Sequence, residues 1–392
     1  MLLKNGKLIL NNSILFGDVR INGSRIIEIG VGLTGVGNEE IIDVGGRYVT
    51  SGFIDIHTHG GYGRDFMDCT KEAFDNALRF HADNGTTTVV ATSCTAPKEK
   101  ILDFLRYSRQ FITSNASIFA NVAGVHLEGP YLSVKNRGAQ DEKNLADPIK
   151  DDYSYMIENA DIIKTVTIAP ELDGAAEMAR SLTEKGIVVC GGHDDGLYPN
   201  FIPTIRNGLK HLTHAYSAMS ELKYVNGIRN VGLREYGLID DALSVEFIAD
   251  NRHIPPELAL LIYKAKGADN CCVVSDSLSC AGQPQDGRLY KLGNGDSAQL
   301  VKIDTGIAML ADGSKFAGSI TPVRKMVKNL VDAGIPLVDA VKMGTSTPAR
   351  IIGEKDIGSI AVGKKADLCV LENDFSLVTT IINGTKYKRE AI

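Results

Sequence analysis

Residues 52–61 read GFIDIHTHGG, an apolar, strand-like run that closes on His57 and His59 and then on two glycines. Alternate residues of a strand face the same way, so both imidazoles project from one side of the run near its C-terminal end. The whole chain holds eight histidines, and two of them at this spacing on a buried strand can grip one ion. Gly60 and Gly61 would keep the rim open to backbone and substrate, and an ordinary tight turn is compatible with that.

Seven further runs of the same kind follow this one: 86–94 (TTTVVATSC), 120–130 (ANVAGVHLEGP), 163–172 (IKTVTIAPEL), 186–195 (GIVVCGGHDD), 209–217 (LKHLTHAYS), 243–251 (LSVEFIADN) and 271–278 (CCVVSDSL). Amphipathic stretches such as 98–112 and 255–267 separate them, which is the pattern of a parallel sheet with covering helices. Eight such units close a barrel, so the expected fold class is α/β, a (β/α)8 TIM-like barrel spanning residues 51–354.

Barrels of this type place their chemistry at the C-terminal ends of the strands. There the first run offers His57 and His59, the third Glu128, the fifth His193, the sixth His214 and the eighth Asp276. Five strand ends bearing imidazole or carboxylate describe a mixed nitrogen and oxygen cage. Such a cage suits divalent transition metals, zinc or iron among them. His81, mid-helix in LRFHADNG, and His211, which precedes the ligand end of its strand, read instead as core histidines.

Both ends of the chain have a different grammar. Residues 1–50 and 355–392 alternate short apolar strands with Asn-Gly pairs at Asn5-Gly6, Asn22-Gly23 and Asn383-Gly384, which predicts hairpins joined in one small β-sandwich.

The bulk composition narrows the function classes. A hydrophobic fraction of 44% supports a large core, and a net charge of -6 without a basic block or basic-aromatic stripe argues against nucleic acid or an acidic membrane surface. No run reaches the ~18 apolar residues of a membrane span, and the polar N-terminus lacks a signal-like core, so a cytoplasmic protein is expected. Seven cysteines without a C-x-x-C read as reduced, buried thiols.

Taken in order, GFIDIHTHGG, VHLEGPYLS, GGHDD, HAYSAMS, FIADNRH and VVSDS resemble the amidohydrolase superfamily, and within it the deacetylases of amino-sugar phosphates, over essentially the whole chain. The resemblance implies hydrolysis of the acetamide of N-acetyl-D-glucosamine 6-phosphate to D-glucosamine 6-phosphate and acetate. Its alternatives are another N-acetyl amino sugar, such as N-acetylgalactosamine 6-phosphate or an unphosphorylated sugar, or a cyclic amide. It also implies two divalent ions, one on Glu128, His193 and His214 and a second built by His57 and His59, with Glu128 bridging and Asp276 as ligand and proton shuttle.

Several positions depart from the family pattern. Gln140 stands where many members carry a histidine near the acetamide, and Ser217-Ala218-Met219 replaces an N-A-M motif beside the sugar. His253 is kept from D-G-x-H while the glycine is not, and the loop 221–237 offers Lys223, Arg229 and Arg234 as candidate phosphate holders. The resemblance finally implies a homodimer in which a neighbour contributes to the phosphate end of the pocket.

Overall fold

The computed structural model describes residues 1–114, 117–293 and 298–388. At its centre is a sheet of eight parallel strands taken in chain order: β1 (Phe53–Thr58), β2 (Thr86–Ser93), β3 (Asn121–Glu128), β4 (Ile163–Ile168), β5 (Val188–Gly191), β6 (Leu209–Leu212), β7 (Ser244–Phe247) and β8 (Cys271–Val273). Every residue of β1 and β2 is buried, because the sheet is covered on both faces. The helices Lys71–Asp83, Lys98–Ser114 and Pro256–Asn270 contribute to that cover through residues such as Phe74, Phe104 and Ile262.

Each of the eight apolar runs supplies one of these strands. The expected closure of the barrel takes a different form: the ladder leaves β1 and β8 unpaired with each other. They meet only beyond the end of β8, where Asp276 donates its N–H to the His57 carbonyl (2.9 Å) and His59 donates to that of Ser277 (2.9 Å). Two facts explain the gap. Ile54 in β1 donates its N–H to Gly344 (3.0 Å), and β8 is three residues long before the chain turns at Asp276, whose φ is 44°.

The termini build one mixed sheet of eight strands, in which Tyr48–Ser51 pairs antiparallel with Leu368–Leu371. A two-layered sandwich was expected. What forms is a single sheet that curls until its edge strand Arg25–Gly30 meets Lys365, with Ile26 donating to the Lys364 carbonyl (2.9 Å). Leu3, Leu8, Val19, Val49, Leu368 and Ile381 fill the inside of the curl. The Asn22-Gly23 and Asn383-Gly384 turns form as expected, but Asn5-Gly6 is a bulge within the strand Leu2–Ile9. There Asn5, at φ 58°, donates its N–H to Asp18 instead of turning the chain (2.8 Å).

One element has no counterpart in the sequence reading. After β8 the chain forms a three-stranded antiparallel sheet, Tyr290–Leu292, Gln299–Asp304 and Ile307–Leu310, and returns through a strap at 311–320. Thr305 and Gly306, both at positive φ, make the tight turn between its last two strands.

Candidate metal centre and substrate cavity

Six side chains named from the strand ends come together above the C-terminal edge of the parallel sheet. Glu128, at the end of β3, is central: its Oε1 lies 2.9 Å from His214 Nε2, 3.0 Å from His193 Nε2 and 3.5 Å from His57 Nε2, and its Oε2 lies 3.4 Å from His59 Nε2. Asp276 Oδ1 faces the first pair, 3.6 Å from His57 Nε2 and 3.3 Å from His59 Nε2. Two overlapping groups, His57 with Glu128 and His214, and His57 with His59 and Asp276, hold all their ligand-type atoms within 4.8 Å of one another.

Local backbone makes this convergence possible. His193, His214 and Asp276 all have positive φ (49°, 27° and 44°), a region that non-glycine residues seldom occupy and that re-aims a side chain as a strand ends.

The far nitrogens of the imidazoles decide which atoms face the centre. His57 Nδ1 lies 2.7 Å from the Glu246 carboxylate, and His193 Nδ1 lies 2.9 Å from the Asn136 carbonyl. Each acceptor orients Nδ1 as the donor and directs Nε2 at Glu128, where it meets the carboxylate through a proton or, once deprotonated, offers a lone pair to a metal ion. His59 Nδ1 touches the Cys94 thiol at 3.4 Å. Nitrogen and carboxylate oxygen packed this closely need a positive charge between them, a proton or a metal ion. The buried Nε2 of His57, which has no hydrogen-bond partner, marks the same need. The donor set therefore fits a divalent metal ion, with imidazole and carboxylate in the mixture that zinc and iron accept.

Electrostatics point the same way. Burial alone would lower the His57 imidazole, but the charges of Glu246, Asp276 and Glu128 outweigh it and carry it up to about 9. Burial would raise Glu128, and the charge of His57 with hydrogen bonds from His193, His214 and His59 holds it well below the usual carboxylate range. Asp276 is likewise raised by burial and lowered further by His57 and His59, to a net decrease. A field that draws protons onto imidazole this strongly also draws a metal cation.

A cavity of about 440 Å³ opens over the centre. His59, Glu128, Gln140, His193, His214 and Asp276 line its floor, and Ser217, Ala218 and His253 line its wall. Gln140 is pinned at both ends of its amide: its oxygen accepts the Thr95 N–H (2.8 Å), and its nitrogen donates to Glu128 Oε2. His253 donates from Nδ1 to Asp250 (2.8 Å), and its ring lies 4.9 Å from that of Phe316.

Other sequence candidates lie elsewhere. Met219 is buried in the apolar core, away from the cavity. Arg229 sits on an exposed hairpin, Lys223–Val225 with Ile228–Asn230, where its guanidinium lies 4.9 Å from the Tyr224 ring centre. Lys223 pairs with Asp195, and Arg234 pairs with Glu221 (3.0 Å) and lies over Tyr216. None of these three basic side chains lines the cavity.

Residues not singled out from the sequence complete the site. Glu246 joins His57 to His211, whose Nε2 lies 3.1 Å from Glu246 Oε2, and accepts the His214 N–H as well (3.2 Å). Its signal was available, an acid in the middle of the apolar strand run LSVEFIAD. His81, expected in the core, is buried with Nε2 2.9 Å from the Thr58 hydroxyl, and burial lowers it to about 3. Lys135 and Lys315 are the basic side chains at the cavity rim.

A barrel-type sheet with imidazoles and carboxylates converging over its C-terminal edge matches the model of the amidohydrolase family over residues 48–386, and the chain belongs to that family of hydrolases. Among individual proteins, it is 32% identical over 338 residues to an N-acetylglucosamine-6-phosphate deacetylase of Bacillus subtilis, covering 85% of this chain and 83% of that one. The crystal structure of N-acetylglucosamine-6-phosphate deacetylase from Pasteurella multocida superposes with a TM-score of 0.89 at 28% identity, covering 98% of this chain and 99% of that one. A Mycobacterium smegmatis enzyme of the same name, solved as a variant in complex with N-acetyl-D-glucosamine-6-phosphate, gives a TM-score of 0.87 at 27% identity over 98% of each chain. Among the described residues, no helix is long and apolar enough to cross a membrane.

Proposed function

We propose that the chain is a metal-dependent deacetylase of N-acetyl-D-glucosamine 6-phosphate, releasing acetate and D-glucosamine 6-phosphate. The observation that carries this reading is the convergence of His59, His193, His214, Glu128 and Asp276 on the floor of one cavity, with His57 buried against them, in a chain that resembles deacetylases of that name along nearly its whole length. Glu128, His193 and His214 would hold one divalent ion and His57, His59 and Asp276 a second, with Glu128 between them. Bound there, such ions supply Lewis acidity for an amide carbonyl and lower the pKa of a water ligand toward ~7.

The chain's own groups then divide the proton work. Asp276 is kept ionised by His57 and His59, so its carboxylate accepts the proton of the attacking water and returns it to the departing amine nitrogen. Gln140 donates one amide hydrogen to Glu128 and offers the other to the substrate carbonyl as negative charge builds there. Glutamine carries no proton of its own to give, so acid catalysis falls to Asp276. Ser217, Ala218 and His253 form the wall against which the sugar lies.

The reading has three further parts. The terminal segments 1–50 and 355–392 act as one unit beside a catalytic unit of 51–354, as their shared sheet suggests. Two copies pair, and exposed Tyr224 and Ile228 on the hairpin that carries Arg229 offer an apolar surface for it. Seven unpaired thiols suit the reducing cytoplasm.

The test is acetate release by protein reconstituted with zinc or iron, on N-acetylglucosamine 6-phosphate, its galactose epimer and unphosphorylated N-acetylglucosamine. Fast turnover of the first substrate, lost in Asp276→Asn, is expected. Failure of all three while the metal stays bound would refute the substrate assignment.

A further inference from the structure

We propose that His81, Thr58 and Ser277 form a one-directional hydrogen-bond chain that holds the His57 and His59 pair against Asp276, which makes Thr58 and His81 positioning residues of the metal centre. The proposal rests on the metal-dependent reading of the floor and goes on to name what sets its geometry.

The open edge of the parallel ladder falls where the floor needs its atoms held most closely. β1 carries His57, the chain just past it carries His59, the turn after β8 carries Asp276, and the ladder does not pair the two strands. Strand alternation sends the Thr58 side chain away from those of its two histidine neighbours, toward the helix Lys71–Asp83. There its hydroxyl lies 2.9 Å from His81 Nε2 and 2.8 Å from Ser277 Oγ. Ser277 Oγ lies in turn 2.8 Å from the Gly60 carbonyl. Thr58, Ser277 and His81 are at most 1% exposed, so bulk water offers them no alternative partner.

Proton counting fixes the direction of the chain. A carbonyl only accepts, so the single hydroxyl hydrogen of Ser277 goes to Gly60. Ser277 therefore accepts from Thr58, and Thr58, its own hydrogen spent, accepts from His81. That requires a neutral His81 with its hydrogen on Nε2. Its Nδ1 lies 3.7 Å from Asp55 Oδ2, beyond hydrogen-bond reach, and burial lowers the imidazole to about 3. Bonds aligned in one direction strengthen one another, and the loss of any one leaves a buried polar group unsatisfied.

The chain meets the centre at three points. Thr58 lies between the two histidines, Gly60 follows the second of them, and Ser277 follows Asp276. Backbone bonds run through the same residues, since His59 and Gly60 both donate to the Ser277 carbonyl (2.9 and 3.0 Å). Ser275, which precedes Asp276, makes a second clasp: its N–H (3.1 Å) and its hydroxyl both donate to Asp55, and its Oγ accepts the Ser277 N–H (3.1 Å). Asp276 is thus flanked by two serines that are tied across the open edge to β1 and the residues that follow it.

Two readouts test the chain on full-length protein. In the first, zinc-loaded Thr58→Val, which keeps the shape and removes the hydroxyl, is challenged with a chelator. One of the two ions should leave roughly 10- to 100-fold more readily than in the wild type while the other holds within about threefold, as expected when a group behind one ligand set is lost. At saturating zinc, kcat should fall by a similar factor with little change in KM, and Thr58→Ser should restore most of both. Equal weakening of both ions, or a Thr58→Ser no better than Thr58→Val, would overturn the proposal, and melting temperatures report that the fold is intact. The second readout is imidazole nitrogen NMR of the wild type, with His81 assigned from the spectrum of His81→Gln. A neutral ring with its hydrogen on Nε2 is expected, its resonance shifting in Thr58→Val. A hydrogen on Nδ1 alone, or a charged ring, would contradict the derived direction and sink the proposal. This readout needs neither turnover nor metal, so its failure is distinguishable from failure of the deacetylase reading.

Discussion

Glu128 on the floor of the cavity has His193, His214, His57, His59 and Gln140 within reach of its two oxygens, whereas Lys315 on the rim has no charged partner at all among the described residues. The floor groups stand at strand ends, and most are held from behind: His57 by Glu246, His193 by the Asn136 carbonyl, His59 by Cys94. Lys315 stands on a loop that backbone hydrogen bonds tie to the neighbouring strand, and Lys135 has one exposed ion pair, with Asp195. This contrast teaches how the two kinds of specificity separate. A reaction centre must hold its atoms to within about half an ångström, and buried mutual contacts do that. A recognition edge needs only a charge within reach, so it can be exchanged from one relative to another without disturbing the chemistry.

The harshest way to break the floor is Glu128→Gln, which keeps the shape and removes the charge between the imidazoles. Metal content should fall below one ion per chain, and turnover should drop at least ~10³-fold, since several kcal/mol of charge stabilisation leave with the ions. Retained activity at full metal loading would show that Glu128 is no bridge. Next in size is Glu246→Gln, which touches no substrate and acts through His57. Loss of such a carboxylate behind a metal-ligating imidazole costs about 10- to 100-fold in metal affinity. A chelator challenge followed by elemental analysis reads this directly, and an unaltered rate of metal loss would reduce Glu246 to a packing role.

Removing the metal from the native chain should cost less, and should be visible in stability. A bound metal ion would offset the crowding of carboxylate and imidazole at the floor. At free metal near 100 times Kd, binding contributes about 2.7 kcal/mol, which for a chain of this size shifts the melting temperature by roughly 3 °C. Calorimetry with and without chelator measures it. An identical melting temperature would mean that the floor is held by protein contacts alone.

The same division governs what the sequence could reveal. His57, His59 and Glu128 were legible because an apolar run written in consecutive residues carries them and strand period fixes their face, while His193, His214 and Asp276 were legible by their place just past a run, where positive φ re-aims the side chain. Glu246 belongs to the same layer but lies inside its run, where an acid gives no hint of the imidazole it will meet from β1 and β6. Closure of the sheet was harder still, since it depends on Gly344 taking the Ile54 N–H from far along the chain. At the rim, periodicity carries no information. Lys223, Arg229 and Arg234 looked equally eligible, and only the fold shows that none of them lines the cavity within its own chain.

The smallest expected effect sharpens the comparison most, because it asks whether any rim cation would serve. Lys135 lines the same cavity as Lys315 and carries the same charge. It differs in being paired: Asp195 lies 2.9 Å away and draws on Lys223 as well. Once Lys135 is removed, Asp195 keeps its other partner, so no unpaired carboxylate is left to repel a phosphate. Exposed ion pairs of this type are worth 0.2–1 kcal/mol, so Lys135→Ala should change the KM for the phosphorylated sugar by no more than roughly two- to fivefold. Its effect should also fade with added salt, as expected for a screened surface charge. A loss of tenfold or more would mean that this ion-paired ammonium itself holds the phosphate, and the contrast between a mutually braced floor and a loosely held rim would have to be given up.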